Sequence, residues 1–459
     1  MDRTTLEERL GTVVGQALGR NVTVEEFTRL PGGASKNTWS FTVRGTDGFA
    51  ARLILRAERP GTAGNGMAIE ASVLRAAADR AVPVPRIVVD GSESDALDGR
   101  FLVTEFVDGE TIARRILRDD NLAEARRTMA AQCGRILADL HRIAPDEVTG
   151  LSDGDVLEQA RAHLDALGQS HPALELGLRW LSEHRPERTR TTVVHGDFRN
   201  GNFIVGPDGV RAVLDWELAH LGDPVEDLGW LCVKAWRFGA TLPVGGFGTV
   251  EDLVSGYEAA GGEPVDRNAL RWWVVYGTLH WGIVCIAQAL THLRGVVRSV
   301  ELAAIGRRVC EVESDLLDLL PWRAAPAPAA AGGDPAPPAG GPHDVPTAAE
   351  LLEAVQGYLE GDVMPATEGR VRFHARVAAN VVAMVAREIA LGPAQAVAHR
   401  RRLAALGLAS EEELAEAIRA GTLDRRLDEV ADVVRATVAD KLEVANPAYR
   451  TGDDLDLKL

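Results

Sequence analysis

His195-Gly196-Asp197-Phe198-Arg199-Asn200-Gly201-Asn202, followed after a short hairpin by Leu214-Asp215-Trp216-Glu217, is the stretch that decides how this chain is read. Its surroundings are strand and turn formers. Thr191-Thr192-Val193-Val194 is β-branched throughout, Phe203-Ile204-Val205 resumes an extended apolar pattern, and Gly206-Pro207-Asp208-Gly209 reads as a hairpin turn into Arg211-Ala212-Val213-Leu214. Gly201 permits a tight turn. The loop before the first hairpin arm carries Asp197 and Asn202, and the second arm delivers Asp215 at its end. Asp and Asn are ordinary turn residues when they stand alone. Together at this spacing they match the needs of phosphoryl transfer: one Asp to orient the attacking hydroxyl, and an Asn with a second Asp to hold a metal on the phosphates.

On these residues the chain resembles the aminoglycoside phosphotransferase-like kinases, a branch of the protein-kinase fold that phosphorylates small molecules, over roughly residues 25 to 320. The resemblance implies an α+β, two-lobed kinase-like fold. It assigns Asp197 as catalytic base and Asn202 and Asp215 as magnesium ligands, with ATP as phosphoryl donor and GTP as the alternative. His195 is expected to support the loop or to be a satisfied structural histidine.

Such a fold needs an N-terminal lobe with a phosphate-covering turn, a cation on the third strand and an acidic partner on a helix. Leu30-Pro31-Gly32-Gly33-Ala34-Ser35-Lys36-Asn37 is a turn-rich loop before the alternating strand Thr38 to Val43, and Gly32, Gly33 and Ser35 are its candidates for approaching phosphate. Ala51 to Arg56 reads as a strand, whose two-residue period puts Arg52, Ile54 and Arg56 on one face. Ile54 is then expected over the adenine and Arg56 at the phosphates. The kinases it resembles usually have Lys where Arg56 falls, and Arg is no neutral replacement; the acyl-CoA-linked members also show Leu-Arg here. Glu70, in the helical pattern Met67 to Arg75, is the expected partner of Arg56, with a solvated helix-face Glu as the alternative. Val82-Pro83-Val84-Pro85 breaks that helix. Phe101 to Val107 reads as a buried strand running into the hinge between lobes, where backbone groups of Glu105 and Val107 meet the purine.

The larger lobe reads as helical. Met129, Cys133, Ile136, Leu137 and Leu140 form a stripe ending at His141. Asp223 with Pro224 makes a helix start, and the resemblance assigns Asp227 to bracing the catalytic loop. Trp272 to Leu290 approaches membrane-spanning length, but Thr278, His280 and Gln288 interrupt it, and a buried helix lining an acyl pocket is the better fit. His292, Arg294, Arg298, Arg307 and Arg308 follow, either as a phosphate-binding cluster or as a solvated face.

With 459 residues, 46% hydrophobic, the chain has room for two or three domains. Its net charge of −17 argues against nucleic acid or an anionic membrane as partner. The start of the chain lacks a basic, apolar signal pattern, and the four cysteines show no metal-ligand spacing; both fit a cytoplasmic protein with reduced thiols. Arg323 to Asp344 is Ala, Pro and Gly and reads as a linker. The expected boundaries are an N-lobe at 1–108, a helical C-lobe at 109–322, the linker at 323–344 and a separate all-α domain at 345–459.

That last segment shows a stripe of Val377, Val381, Met384, Val385 and Ile389 stopping at Gly392-Pro393, a capping box at Ser410 to Glu413, and a final stripe of Leu427, Val430, Val434 and Val438. It resembles the small helical proteins that partner acyl-CoA-linked kinases. In levulinate-type catabolism such pairs phosphorylate 4-hydroxyacyl-CoA, and related kinase domains are fused to acyl-CoA dehydrogenases. The resemblance implies an acyl-CoA hydroxyl as acceptor, with the tail closing over substrate or organising a homodimer. The competing readings are an aminoglycoside or other small-alcohol kinase, and a pseudokinase that binds nucleotide or acyl-CoA.

Overall fold

The computed structural model describes residues 3–30, 36–58, 66–188, 190–322 and 346–449. Gly32, Gly33 and Ser35 lie outside the described residues, as does the linker. The chain forms two compact units, one of residues 1–154 with 186–274 and one of residues 155–185 with 275–456.

In the first unit, α1 (Arg3–Leu18) leads into β1 (Val22–Arg29), β2 (Lys36–Gly45) and β3 (Ala50–Glu58), followed by α2 (Gly66–Asp79), β4 (Ile87–Gly91) and β5 (Phe101–Glu105). The strands make one antiparallel sheet in the order β1-β2-β3-β5-β4. Alternate residues are apolar, so one sheet face buries Phe41, Val43, Leu53, Leu55, Phe101 and Val103 with Leu10 and Val14 of α1. The pairs Thr38 with Arg56, Ser40 with Ile54 and Thr42 with Arg52 set the other face, the arrangement the two-residue period predicts.

Helices α3 (Ala113–Arg118) and α4 (Ala123–Leu140) come next, and α4 buries Met129, Cys133, Ile136, Leu137 and Leu140. Helices α5 (Val156–Leu167) and α6 (Pro172–Glu183) belong to the second unit. The chain returns to the first unit with β6 (Thr192–Val194), the hairpin of β7 (Phe203–Gly206) and β8 (Gly209–Val213), and β9 (His220–Gly222), which pairs antiparallel with β6. Then come α7 (Val225–Cys232), α8 (Val250–Ala259) and α9 (Arg267–Leu293). By length and composition α9 could cross a membrane, yet most of its apolar window is buried, as in a core helix. Two of its aromatic residues are taken up by packing: Trp272 sits edge-on to Trp273, and a Cβ on Gly229 would fall 2.5 Å from Cβ of Trp273.

The second unit continues with α10 (Val300–Arg307), α11 (Val309–Leu319), α12 (Ala348–Tyr358), the short α13 (Met364–Ala366), α14 (Gly369–Leu406), α15 (Glu411–Arg419) and α16 (Leu427–Ala445). The all-α C-terminal region expected from the sequence is present. Its helices share a unit with α5, α6 and α11, so the compact units divide the chain elsewhere than at the linker. Arg419 reaches the buried carboxylate of Glu175 at 2.7 Å, alongside Arg161 at 2.7 Å. Arg435 donates to Asp318 at 3.0 Å, and the Tyr449 hydroxyl donates to Asp315 at 2.7 Å. Composition marks where a linker lacks core residues; it does not tell whether the helices on its two sides share one.

The expected helix stop at Gly392-Pro393 does not occur, because α14 runs through Pro393 to Leu406 and ends at Gly407 with φ +83°. A proline inside a helix removes one hydrogen bond and crowds the carbonyl four residues back. Here contacts to α16 hold the helix together on both sides of the break: Arg387 donates to the Val444 carbonyl at 2.7 Å, Gln395 to the Asp440 carbonyl at 3.2 Å, and Arg402 pairs with the Asp440 carboxylate. The stripe residues Val385 and Ile389 are exposed, and Ala375, Ala379, Leu403 and Leu406 are the buried ones. Pro393→Ala restores the missing N–H and is expected to stabilise the protein by ~1–3 kcal/mol, measured as a higher urea midpoint. A lower midpoint would show that the packing on α16 needs the proline bend.

Candidate functional site

The residues of the His195–Asn202 loop are positioned by the β6–β9 pair and the β7–β8 hairpin. Gly196 has φ +75°, and a Cβ there would lie 2.4 Å from the Leu218 carbonyl oxygen, so only glycine lets the loop pass under the turn that follows Asp215. Beneath the loop, the fully buried Asp227 at the start of α7 accepts from the backbone N–H of His195 at 2.8 Å and of Gly196 at 3.0 Å, with His141 at 3.2 Å. Burial pushes the Asp227 carboxyl up, but the His141 hydrogen bond and charge, with the hydrogen bond from the His195 backbone, outweigh it and hold the group below its ordinary range. His195 accepts at Nδ1 from the Asp197 N–H (3.1 Å) and donates from Nε2 to the Leu214 carbonyl (3.0 Å). One ring nitrogen accepts and the other donates, as in a neutral imidazole, and burial pushes its pKa down accordingly.

Asp197 is held by three donors. Arg199 Nε (2.8 Å) and Trp230 Nε1 (2.9 Å) share Oδ1, and Asn202 Nδ2 (2.6 Å) takes Oδ2. That use of the Asn202 amide nitrogen leaves its oxygen for a cation. Asp215 stands at φ +69°, in the left-handed region that Asp tolerates better than most residues. Burial and the neighbouring carboxylates Glu217, Asp197 and Glu70 raise its pKa, against the pull of Arg56. A carboxylate crowded in this way gains from a bound cation. Among the described residues no group of three or more His, Cys, Asp or Glu is placed to hold a metal. Asn202 with Asp215 is a two-ligand oxygen set of the kind magnesium takes when phosphate oxygens complete its shell.

Across from this loop, Glu70 of α2 is fully buried and binds one cation on each oxygen: Arg56 on Oε1 and Lys36 on Oε2. Arg56 also reaches Asp215 at 3.4 Å, and Lys36 reaches Glu217 at 3.3 Å. The solvated alternative for Glu70 is therefore excluded. Ile54 lies half-buried on the face that carries Arg56. At the hinge, Glu105 donates its N–H to the Arg86 carbonyl at 2.9 Å, which commits that one of its backbone groups to the sheet. Val107 follows, half-buried.

Lys36, Glu217, Arg199 and Trp230 were not singled out in the sequence. Arg199 lies two residues after Asp197 and Trp230 three after Asp227, but only folding shows that both point at one carboxylate. The basic cluster proposed for phosphate is partly spent, since Arg307 pairs with Glu388 and Arg308 with Glu311. The four cysteines are free and buried, and burial pushes the thiols of Cys232, Cys285 and Cys310 up to about 12. A cavity of about 440 Å³ opens in the second unit, with Glu313, His399 and Lys441 in its wall.

Residues 26–273, more than half of the chain, match the model of the phosphotransferase enzyme family, and residues 365–449 match a domain of unknown function, DUF6285. A solved structure of a candidate aminoglycoside phosphotransferase from Ralstonia eutropha superposes with a TM-score of 0.55 at 22% identity, covering 69% of this chain and 98% of that one. Among curated proteins, acyl-CoA dehydrogenase family member 10 of Mus musculus is 30% identical over 211 residues, 42% of this chain and 19% of that protein. Acyl-CoA dehydrogenase family member 11 of Homo sapiens is 30% identical over 161 residues, 32% of this chain and 20% of that protein. The matched segment thus spans about a fifth of the length of these relatives.

One titrating group braces the same loop. His220 of β9 sits opposite Val194 and donates from Nδ1 to the Leu218 carbonyl (2.9 Å) and from Nε2 to Glu226 (3.3 Å). Burial lowers its pKa, but the Glu226 hydrogen bond and charge prevail and raise it from 6.5 to about 9. The stability His220 contributes is therefore complete below about pH 6.5 and is lost as pH rises toward 9. Urea unfolding across this window is expected to show a loss on the order of 2 kcal/mol, absent in His220→Gln. An unchanged pH slope in that variant would remove His220 as the source.

Proposed function

The chain belongs to the phosphotransferase enzyme family, kinases acting on a hydroxyl group, and from that premise we propose that its acceptor is the hydroxyl of an acyl-CoA, a 4-hydroxyacyl-CoA in the first instance, with ATP as donor and magnesium on its phosphates. The observation that carries the chemistry is the Asp197 carboxylate, fixed by Asn202, Arg199 and Trp230 beside Asp215. The acceptor class is supported by the likeness to segments of two proteins named as acyl-CoA dehydrogenase family members. Trp272, Trp273 and Tyr276 of α9 are core residues and do not add to it, while Trp281 of the same helix is half-buried.

Asp197 orients the acceptor hydroxyl and takes its proton as the bond from that oxygen to the γ-phosphorus forms and the bond from phosphorus to the β,γ-bridging oxygen breaks, releasing ADP. Two donors on Oδ1 fix the plane of its carboxylate, and Asn202 fixes the other oxygen. His195, neutral and buried, keeps the loop backbone in place without competing for the proton. Asn202 Oδ1 and Asp215 would hold magnesium, which supplies charge neutralisation on the phosphates when bound. Glu70 fixes Arg56 at the mouth of the same site.

Asp197→Asn keeps the size of the side chain and removes the base. It is expected to lower kcat by about 10²–10⁴-fold while leaving nucleotide affinity within about twofold, because the interaction lost belongs to the transition state. Mass spectrometry of 4-hydroxyacyl-CoA with the purified protein, ATP and magnesium tests the acceptor, with Asp197→Ala as control. Product formed only by the unaltered protein supports the reading. Phosphorylation of a different alcohol in a metabolite extract keeps the kinase and discards the acyl-CoA. Nucleotide binding without turnover of any alcohol would favour a binding module, the reading to which Arg56 in place of the usual Lys lends weight.

A further inference from the structure

The chain carries 50 lysines and arginines, and only Lys36, Lys234, Lys441 and Lys458 among them are lysine. One of these four stands in the candidate active site, at the first residue of β2, with its side chain only 10% exposed. In the antiparallel pairing Thr38 faces Arg56 and Lys36 faces Glu58. Positions two apart share a face, so Lys36 and Arg56 are diagonal neighbours on the surface turned to the catalytic loop.

Their partners make the arrangement symmetric. Glu70 offers one oxygen to each cation, and each cation then reaches one carboxylate of the Asp215-Trp216-Glu217 turn, Arg56 to Asp215 and Lys36 to Glu217. Four carboxylates, Glu70, Asp197, Asp215 and Glu217, are thus gathered around this turn, and their mutual repulsion is relieved by cations held at its edge. We propose, resting on the kinase reading above, that Lys36 is a second phosphate-binding cation, and that the single strand lysine usual in such kinases is here replaced by a lysine and arginine pair sharing Glu70.

The residue types divide the work. A guanidinium presents a planar fork, and Arg56 uses its two terminal nitrogens on Glu70 and Asp215, which suits it to bracket α2 against the turn. An ammonium is compact and has three protons, two of which face Glu70 and Glu217. A second guanidinium at position 36 would have to fit between the same two carboxylates beside the first. In a chain that otherwise uses arginine almost throughout, lysine at this position answers a need for a small cation that keeps a proton for a phosphate oxygen.

The test separates phosphate from adenine and needs no acceptor. Equilibrium binding of adenosine and of ATP with magnesium is measured on the full chain and on Lys36→Met, Lys36→Arg and Arg56→Met. Lys36→Met is expected to weaken ATP binding by at least about tenfold, the value of a charge-assisted hydrogen bond, with adenosine binding unchanged and Lys36→Arg falling between. A merely structural lysine would change both ligands together or neither, and either pattern overturns the proposal. If Lys36→Met does not fold, reductive methylation of the unaltered protein replaces it: protection of Lys36 by ATP with magnesium and not by adenosine supports the proposal, and equal labelling refutes it. Binding of ATP by the unaltered chain with an indifferent Lys36→Met sinks this inference alone. Failure of the unaltered chain to bind ATP sinks the kinase reading with it.

Discussion

A fully buried carboxylate, Asp227, is the constraint from which the site follows. An ion away from water must be met by donors, and here two of them are backbone N–H groups of the catalytic loop, from His195 and Gly196. Satisfying Asp227 therefore fixes the loop path, and the loop path fixes where Asp197 and Asn202 project. His141, from the end of α4, supplies the third donor and ties the loop to the helical part of the unit. Gly196 is required because the same tight path brings the Leu218 carbonyl too close for any side chain.

The opposite wall obeys the same rule with the signs exchanged. Glu70 is buried and draws in two cations, which reach across to the two acidic residues of the turn after β8. Each charge in this set is partnered, yet the set as a whole stays rich in carboxylates, and burial first, then these neighbouring carboxylates, raise the pKa of Asp215. On the proposed reading a metal held with phosphate would answer this balance, the metal at Asp215 and the phosphates at the two cations.

The second unit shows how an annexed helical region can become part of a core. Glu175 of α6 is buried between Arg161 of its own hairpin and Arg419 from beyond the linker, and Glu313 of α11 lies 3.6 Å from Lys441 of α16. Buried charged pairs repay little more than their desolvation, and Val430, Val434 and Val438 of α16 supply buried apolar surface. The DUF6285-matching segment is thereby held on helices that precede the linker.

By itself the sequence determined the hairpin that presents Asp215 and the stripes of α4 and α16, because each rests on local periodicity or on turn chemistry that neighbouring residues set; the fold class and the Arg56 to Glu70 pairing were legible only through the resemblance to known kinases, and the pairing only as one of two readings. It could not determine that Pro393 lies inside a helix, since the contacts to α16 that span the break come from residues some fifty positions away. Nor could it show that Glu105 spends its N–H on Arg86, that Trp230 and Arg199 converge on Asp197, or that Lys36 and Arg56 divide one carboxylate. Arg199 aside, which stands two positions from Asp197, those are meetings of groups separated along the chain, and tertiary structure decided them because a buried charge takes whichever donors the packed fold brings within reach.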